Sequence, residues 1–283
     1  MRKRILLLFF LASMVLFYSC QLDLNRDQVD SKSTEPIETS HNPELERNKK
    51  SSEREKTESE NLESDIELVS PNIEKTVYLT FDDGPTSVTT DILDALHQFN
   101  AEATFFMLEP LMRDMPEVVT KIVEAGHAVG LHGVTHNKEH FYQSEQSALE
   151  EMMTAQKTLQ QITGIRSNLI RTPYGSVPYL TNSFRDILDS RGFKLWDWNV
   201  DSSDWSLSSG QYVETVINQI ENLVKADVAP IILMHDKQKT AEHLPILLTY
   251  LSDQGYQMKR MEENMLPYNF NCYTRCHRLT VQK

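Results

Sequence analysis

The sequence predicts an α/β protein with one parallel sheet, closed or nearly closed into a barrel. Three observations predict it. From Glu74 onward short apolar runs alternate with amphipathic stretches in about seven β-then-α units, the pattern of a parallel sheet with helical crossovers. No dinucleotide-type glycine-rich turn interrupts that alternation, which favours a barrel over the alternative, an open doubly wound sheet. Polar residues recur at the ends of five of the strands, and in a parallel barrel all strand C-termini share the face that carries the active site.

The elements follow in order. Residues 76–81 read as an apolar strand that stops at Asp82-Asp83-Gly84-Pro85, where Gly-Pro forces a turn. Residues 87–99 read as a helix with Ile92, Leu93, Leu96 and Phe99 on one face. A strand at 103–107, a helix at 111–125 and a short strand at 128–131 come next. A long helix over 143–162 precedes a strand at 168–171 and a helix at 179–191 closed by Gly192. Residues 194–200 read as one strand, 210–225 as a helix and 230–234 as a strand. A helix at 244–254, closed by Gly255, and a strand at 256–259 complete the alternation.

The formal charge of −13 and pI of about 5.2 argue against a nucleic-acid partner, which needs a basic face; they are compatible with a neutral polysaccharide. Met1-Arg2-Lys3-Arg4 is basic, and the 14 residues from Ile5 to Tyr18 are apolar or small. That run is shorter than the roughly 17–25 residues of a membrane span and has the shape of an export signal. Ser19-Cys20-Gln21 resembles the end of a bacterial lipoprotein signal, with Cys20 as the lipidation site, although Phe17 and Tyr18 are bulkier than is usual there. An uncleaved anchor and an ordinary secreted form stay open beside it. Residues 21–70 are Ser, Thr, Asn, Glu and Lys without apolar periodicity, and such a segment is expected to be a disordered tether. The expected division is therefore a signal or anchor at 1–20, a linker at 21–70, the folded domain at 71–266 and a tail at 267–283. In that tail Cys272 and Cys276 are open to pairing, as in an exported protein, or to remaining free thiols.

The strand ends carry Asp82-Asp83, His132-Gly-Val-Thr-His136, Arg171-Thr-Pro-Tyr174, Asp201-Ser-Ser-Asp204-Trp205 and Met234-His235-Asp236. An isolated Asp-Asp-Gly is most simply a turn with two solvated acids; its recurrence with other polar strand ends points instead to one carboxylate on a metal and the other taking a proton. His132 and His136 are four apart, so a helical turn would put both imidazoles on one face. Taken alone, such a pair is more often satisfied or exposed than ligating, and no Glu follows His132 to complete the metalloprotease pattern. With Asp83 as a third ligand the set becomes two histidines and a carboxylate, leaving a position for water. A metal there lowers the pKa of water from 15.7 towards roughly 7. His127 reads as a strand-entry residue, and His97, His140 and His243 have no partner pattern in the sequence.

Taken together, Thr80-Phe81-Asp82-Asp83-Gly84, His132-x-x-x-His136, Arg171-x-Pro173-Tyr174, Asp201-x-x-Asp204-Trp205 and Leu233-x-His235 resemble the five ordered motifs of the polysaccharide deacetylases, carbohydrate esterase family 4 with its NodB-homology domain. The resemblance covers about residues 74–262. It implies a distorted, partly open (β/α) barrel of seven to eight units. It also implies removal of acetyl groups from N-acetylglucosamine polymers or, in some members, from acetylated xylan. It assigns Asp82 as general base, His235 as general acid, Arg171 as the residue orienting Asp82, and Asp204 as a support on the Arg171 or His235 side. Asp83, His132 and His136 would bind one divalent metal, zinc foremost with cobalt or manganese as alternatives. The Tyr174 backbone N–H would help hold the oxyanion, and Trp205 and Leu233 would wall the acetyl pocket, simple core packing being an equal reading for Leu233.

Two positions bear on that assignment. The family usually carries Ser or Thr after the first metal histidine, where its hydroxyl braces the loop; Gly133 here implies a less rigid loop. Members with Asn at the metal-binding Asp are associated with metal-independent action on muramic-type sugars, whereas Asp83 is present. The expected protein is a surface-attached peptidoglycan N-acetylglucosamine deacetylase on the outer face of a bacterial membrane or in the wall, with its acetylated polysaccharide as partner and no oligomeric state implied. A deacetylase of a chitin-like or other exported polymer and an O-acetyl xylan esterase are the enzymatic alternatives. An inactive glycan-binding domain would lack a base or a ligand, and none is missing.

Overall fold

β1 (Thr76–Gly84) is the axis of the fold, an apolar strand buried along nearly its whole length. The computed structural model describes residues 75–279 apart from 209 and 227; Cys20, the apolar run before it and the polar linker lie outside the described residues. After β1 come α1 (Thr89–Gln98), β2 (Thr104–Met107), α2 (Glu109–Asp114), α3 (Pro116–Glu124) and β3 (Ala128–Leu131). They are followed by α4 (Lys138–Phe141), α5 (Glu145–Thr163), β4 (Leu169–Ile170), α6 (Asn182–Asp189), β5 (Lys194–Leu195) and β6 (Val200–Asp201). The last elements are α7 (Gln211–Lys225), β7 (Ile231–His235), α8 (Gln238–Asp253) and β8 (Gln257–Lys259).

All strand pairs are parallel, in the order β5-β4-β3-β2-β1-β7-β6, with β8 on the start of β1. Side chains of β1 alternate between faces, as the pleat requires. Val77, Leu79 and Phe81 join the large apolar core shared with the helices. Tyr78 joins a smaller cluster with Phe106, Leu169, Trp196, Ile231, Met261 and Met265. Thr80 and Asp82 continue the Tyr78 face, so the row that fills the barrel with apolar groups at one end turns polar at the other.

The expected strand at 194–200 is instead two two-residue strands at opposite ends of the sheet path. β5 pairs with β4, and β6 pairs with β7. Between them Trp196 N–H donates to Ile170 O at 2.8 Å and Asn199 N–H to Ile231 O at 3.2 Å. One short stretch of chain thus reaches from one edge of the sheet to the other, and the barrel is distorted and open along it. The tail after 266 packs on this break. Asp197 N–H donates to Tyr268 O at 2.9 Å; Asn269 Nδ2 donates to Leu195 O and Phe270 N–H to Asp197 Oδ2, at 2.9 and 2.8 Å. The Phe270 ring stands edge-on to Trp198 at 4.9 Å, and Cys272 is disulfide-bonded to Cys276.

Two helices also differ from expectation. The one expected at 111–125 is broken before Pro116, which begins α3. A residue preceding proline is pushed out of the helical region, and Met115 has φ −131° and ψ 54°. The helix expected from 244 begins at Gln238, so Pro245 lies inside α8 rather than at its start. A buried row of Thr240, Ala241, Leu244, Leu247, Leu248 and Leu251 offsets the interior proline, which costs about 3 kcal/mol in a helix. The long helix α5 has a clear origin. Ser144 accepts from Ser147 N–H at 3.1 Å, and Ser147 Oγ accepts from Ser144 N–H at 3.1 Å, a reciprocal cap.

Candidate active site

Register brings the first functional pair together. Asp82 on β1 is opposite His235 on β7, so two residues remote in sequence end on one rim. Asp83 departs from the ladder: pairing with β2 slips between Asp82 and Gly84, and Asp83 has φ +71°. A bulge of this kind re-aims a side chain, which is how two consecutive carboxylates come to face one cleft instead of opposite faces.

Asp82 is buried and held by Arg171, whose Nη1 donates to Asp82 Oδ1 at 2.9 Å. Arg171 is itself fully buried. Its other donors go to Thr80 Oγ1 at 2.7 Å, Trp196 O at 3.1 Å and Asp197 O at 3.1 Å. The guanidinium lies 4.3 Å from the Phe106 ring centre and 5.6 Å from that of Trp198. A buried cation is tolerated only when paired and hydrogen-bonded, and this one is matched by a carboxylate and two carbonyls. The opposite rim repeats the device with reversed signs. Asp204, fully buried, accepts from His235 Nδ1 at 2.7 Å, His235 N–H at 2.8 Å and Thr240 Oγ1 at 2.6 Å. Asp204 therefore serves the His235 side of the site, not Arg171. With Nδ1 engaged, His235 offers Nε2 to the cleft. Burial opposes a charged His235, but the bond and charge of Asp204, with Asp82 and Asp83 behind it, raise its pKa above the ordinary value.

Asp83, His132 and His136 form the third group, with one donor atom of each within 4.8 Å of the others. Asp83 Oδ1 lies 3.4 Å from His132 Nε2 and 3.2 Å from His136 Nε2. It is buried without a hydrogen-bond partner, and buried polar atoms ordinarily have one. His132 Nδ1 bonds to Arg171 O at 2.7 Å, which fixes the ring and turns Nε2 inward, the usual outer support of a ligating histidine. Burial works against ionised Asp83, yet the nearby imidazoles of His132, His136 and His235 hold the carboxyl well below the usual range. Donor set, inward nitrogens and the orphaned oxygen fit one divalent cation.

These residues open into a cleft of about 440 Å³, lined also by Tyr174, Trp198, Asp201, Trp205, Leu233 and Lys237. Leu233 is buried, while Tyr174 and Trp205 are 55% and 60% exposed. Tyr174 has φ +64°, its ring is 4.8 Å from that of His136, and its hydroxyl donates to His136 O at 3.0 Å. All ten site residues that the sequence places after the linker are gathered here. Several others were given no role by the sequence. Thr240 and Asp197 act through hydrogen bonds between distant segments. Asp236, next to His235, accepts from Thr86 Oγ1 at 2.8 Å and Thr89 Oγ1 at 2.5 Å and braces the turn after Asp83. His140 is not partnerless: its Nδ1 is 2.8 Å from Glu151 Oε1. His127 is satisfied by Ala103 N–H, which donates to its Nδ1 at 3.2 Å.

Acid–base groups on either side of a cation site, at the C-terminal rim of a parallel barrel, define a metal-assisted hydrolase. Comparison with known proteins narrows the class. The polysaccharide deacetylase family matches residues 70–196. YheN of Bacillus subtilis (strain 168), named as a candidate polysaccharide deacetylase, is 48% identical over 69% of this chain and 70% of its own length. A peptidoglycan-N-acetylglucosamine deacetylase of Bacillus cereus is 35% identical over 69% of this chain and 73% of its own. The crystal structure of the polysaccharide deacetylase Bc1974 from Bacillus cereus superposes with a TM-score of 0.64 at 33% identity, covering 71% of this chain and 98% of that one. The chain belongs to the polysaccharide deacetylase family.

Proposed function

We propose that the protein removes acetyl groups from N-acetylglucosamine residues of peptidoglycan, releasing acetate, from the outer face of a bacterial membrane or within the wall. The observation that carries this reading is the division of labour at the bulge. Asp82 is committed to Arg171 and stands opposite His235, whereas Asp83 is committed to His132 and His136. Asp83, His132 and His136 would hold the ion, and a two-nitrogen, one-oxygen set suits zinc, with cobalt or manganese as alternatives. When bound, such an ion supplies a Lewis acid that polarises the acetyl carbonyl and makes hydroxide accessible near neutral pH.

The chain's own groups do the rest. Asp82 takes the proton of the attacking water, and Arg171 keeps it aimed. The Tyr174 backbone N–H donates to the oxygen that gains charge as the acetyl carbon becomes tetrahedral. His235 gives its Nε2 proton to the leaving nitrogen as the C–N bond breaks, so acetate and a free amine are formed. Asp204 holds the imidazole and stabilises its charged form. Leu233 forms an apolar floor for the acetyl methyl, and the exposed faces of Trp205 and Tyr174 suit sugar rings.

Support for peptidoglycan comes from the relative of Bacillus cereus named for that substrate. Support for export comes from the basic start and short apolar run, which would place Cys20 at a lipidation site, and from the Cys272–Cys276 bridge, a bond rare in the cytosol. The test is mass spectrometry of acetate release from purified peptidoglycan, chitin oligomers and acetylated xylan by one preparation. Release from peptidoglycan is expected; activity confined to xylan would sink the substrate assignment.

A further inference from the structure

Gly133 replaces the hydroxyl residue that would brace the loop between the two metal histidines, yet the loop is tightly held. We infer that Glu151, on α5, is the positioning residue that sets His132 and His136 for the metal. Glu151 is only 4% exposed. Its Oε2 accepts from Val134 N–H at 2.8 Å and Thr135 N–H at 3.0 Å. Its Oε1 accepts from Thr135 Oγ1 at 2.7 Å and bonds His140 Nδ1 at 2.8 Å. A carboxylate offers about four acceptor sites, and here all four partners belong to residues 134–140. Two successive backbone N–H groups aimed at one oxygen form an anion-binding concavity, filled from inside the protein.

Gly133 and Glu151 imply one another. Gly133 has φ +89°, and a Cβ built on it would lie 2.9 Å from Glu151 Oε2. A side chain at 133 would thus both strain the backbone and push the carboxylate off the two amides. The ends of the loop are also tied, by Glu109 N–H donating to Gly133 O at 2.9 Å and Tyr174 Oη donating to His136 O at 3.0 Å. Because Val134 and Thr135 lie between the two histidines, their amides fix the path that brings His136 Nε2 within reach of Asp83. Glu151 itself reaches no ligand atom and takes no part in proton transfer. The inference rests on the metal-site reading above.

The experiment is a competition titration of zinc against a chromogenic chelator, with metal-free melting temperatures as the folding control. Wild type and Asp83→Ala come first: if wild type binds no better than Asp83→Ala, the metal-site reading itself fails. Given wild-type binding, Glu151→Ala should weaken zinc by about 10–100-fold, the usual effect of losing an outer support. Glu151→Gln should keep most of the affinity, because its Oε1 can accept from both amides while its Nε2 donates to Thr135 Oγ1 or His140 Nδ1. Gly133→Ala should weaken zinc in wild type and do so less in the Glu151→Ala background, where the space is free. Zinc affinity of Glu151→Ala within twofold of wild type would overturn the inference, as would equal losses in Glu151→Ala and Glu151→Gln, which would make charge rather than bracing the cause. If Glu151→Ala does not fold, Gly133→Ala and Thr135→Ala carry the test: both should lower zinc affinity, and unchanged affinity in both would overturn it.

Discussion

Asp82 and Asp83 are neighbours with separable work, and their variants should diverge. Asp83→Ala removes a proposed ligand, so bound metal by elemental analysis should fall, and activity should recover partly at high metal. Asp82→Asn keeps shape but takes no proton; it should retain zinc while kcat falls by about 10²–10⁴, the usual worth of a positioned acid or base, with no rescue by excess metal. Reversed zinc contents would exchange the two roles. A second expectation concerns pH. In the proposed role His235 acts while protonated, so kcat should hold below its pKa and fall above it. Asp204 helps raise that pKa against the opposing effect of burial; Asp204→Asn removes the charge, lowers the pKa and should move the alkaline limb of the kcat profile to lower pH. A limb that stayed in place or moved up would refute the pairing. At this scale the residues were legible because each motif stands at a strand end. The bulge that aims Asp83, and the choice of Asp204 for His235, were not, since both depend on register between strands far apart in sequence.

The elements were legible wherever a period was sustained over many residues, as in α5 and β1. They were misread where one segment serves two neighbours. Residues 194–200 have the apolar character of a strand, but hydrogen-bond register assigns the first half to β4 and the second to β7, and composition carries no trace of that division. Asp197, in the middle, is fully buried and accepts from Ser176 N–H, Ser176 Oγ and Phe270 N–H at 3.0, 2.6 and 2.8 Å. Asp197→Ala leaves the buried Ser176 amide without an acceptor, a penalty of about 1–3 kcal/mol, and frees the half-buried Phe270 amide. Urea unfolding should therefore show a loss of about 1–3 kcal/mol, and an unchanged midpoint would mean that the tail and the 176 turn are held by other contacts.

The two ends of the chain should matter differently to the whole molecule. Residues 21–70 have no apolar period and the apolar run before them has the shape of an export signal, so a chain beginning at residue 71 should unfold cooperatively within a few degrees of the full chain. Residues 267–279 invite the same dismissal from sequence, being short and after the last strand, but they lie on the break between β5 and β6. Removing them takes away the acceptor of Asp197 N–H, the donors to Leu195 O and Asp197 Oδ2, and the ring that packs on Trp198. Trp198 lines the cleft and stands beside the buried Arg171 guanidinium. Loss of two or three such bonds at about 1 kcal/mol each, plus partial exposure of the aromatic pair, should total about 3 kcal/mol, or about 6–12 °C in the melting temperature of a domain of this size. Because the uncovered edge is the wall of the cleft, activity measured well below that midpoint should fall as well, through KM more than kcat, since Asp82, His235 and the metal ligands keep their own partners. Thermal unfolding and acetate-release kinetics of a chain ending at residue 266 test this directly. An unaltered midpoint would make the tail an ornament, and a collapse in kcat with KM unchanged would show that the seam positions the reacting groups rather than the sugar.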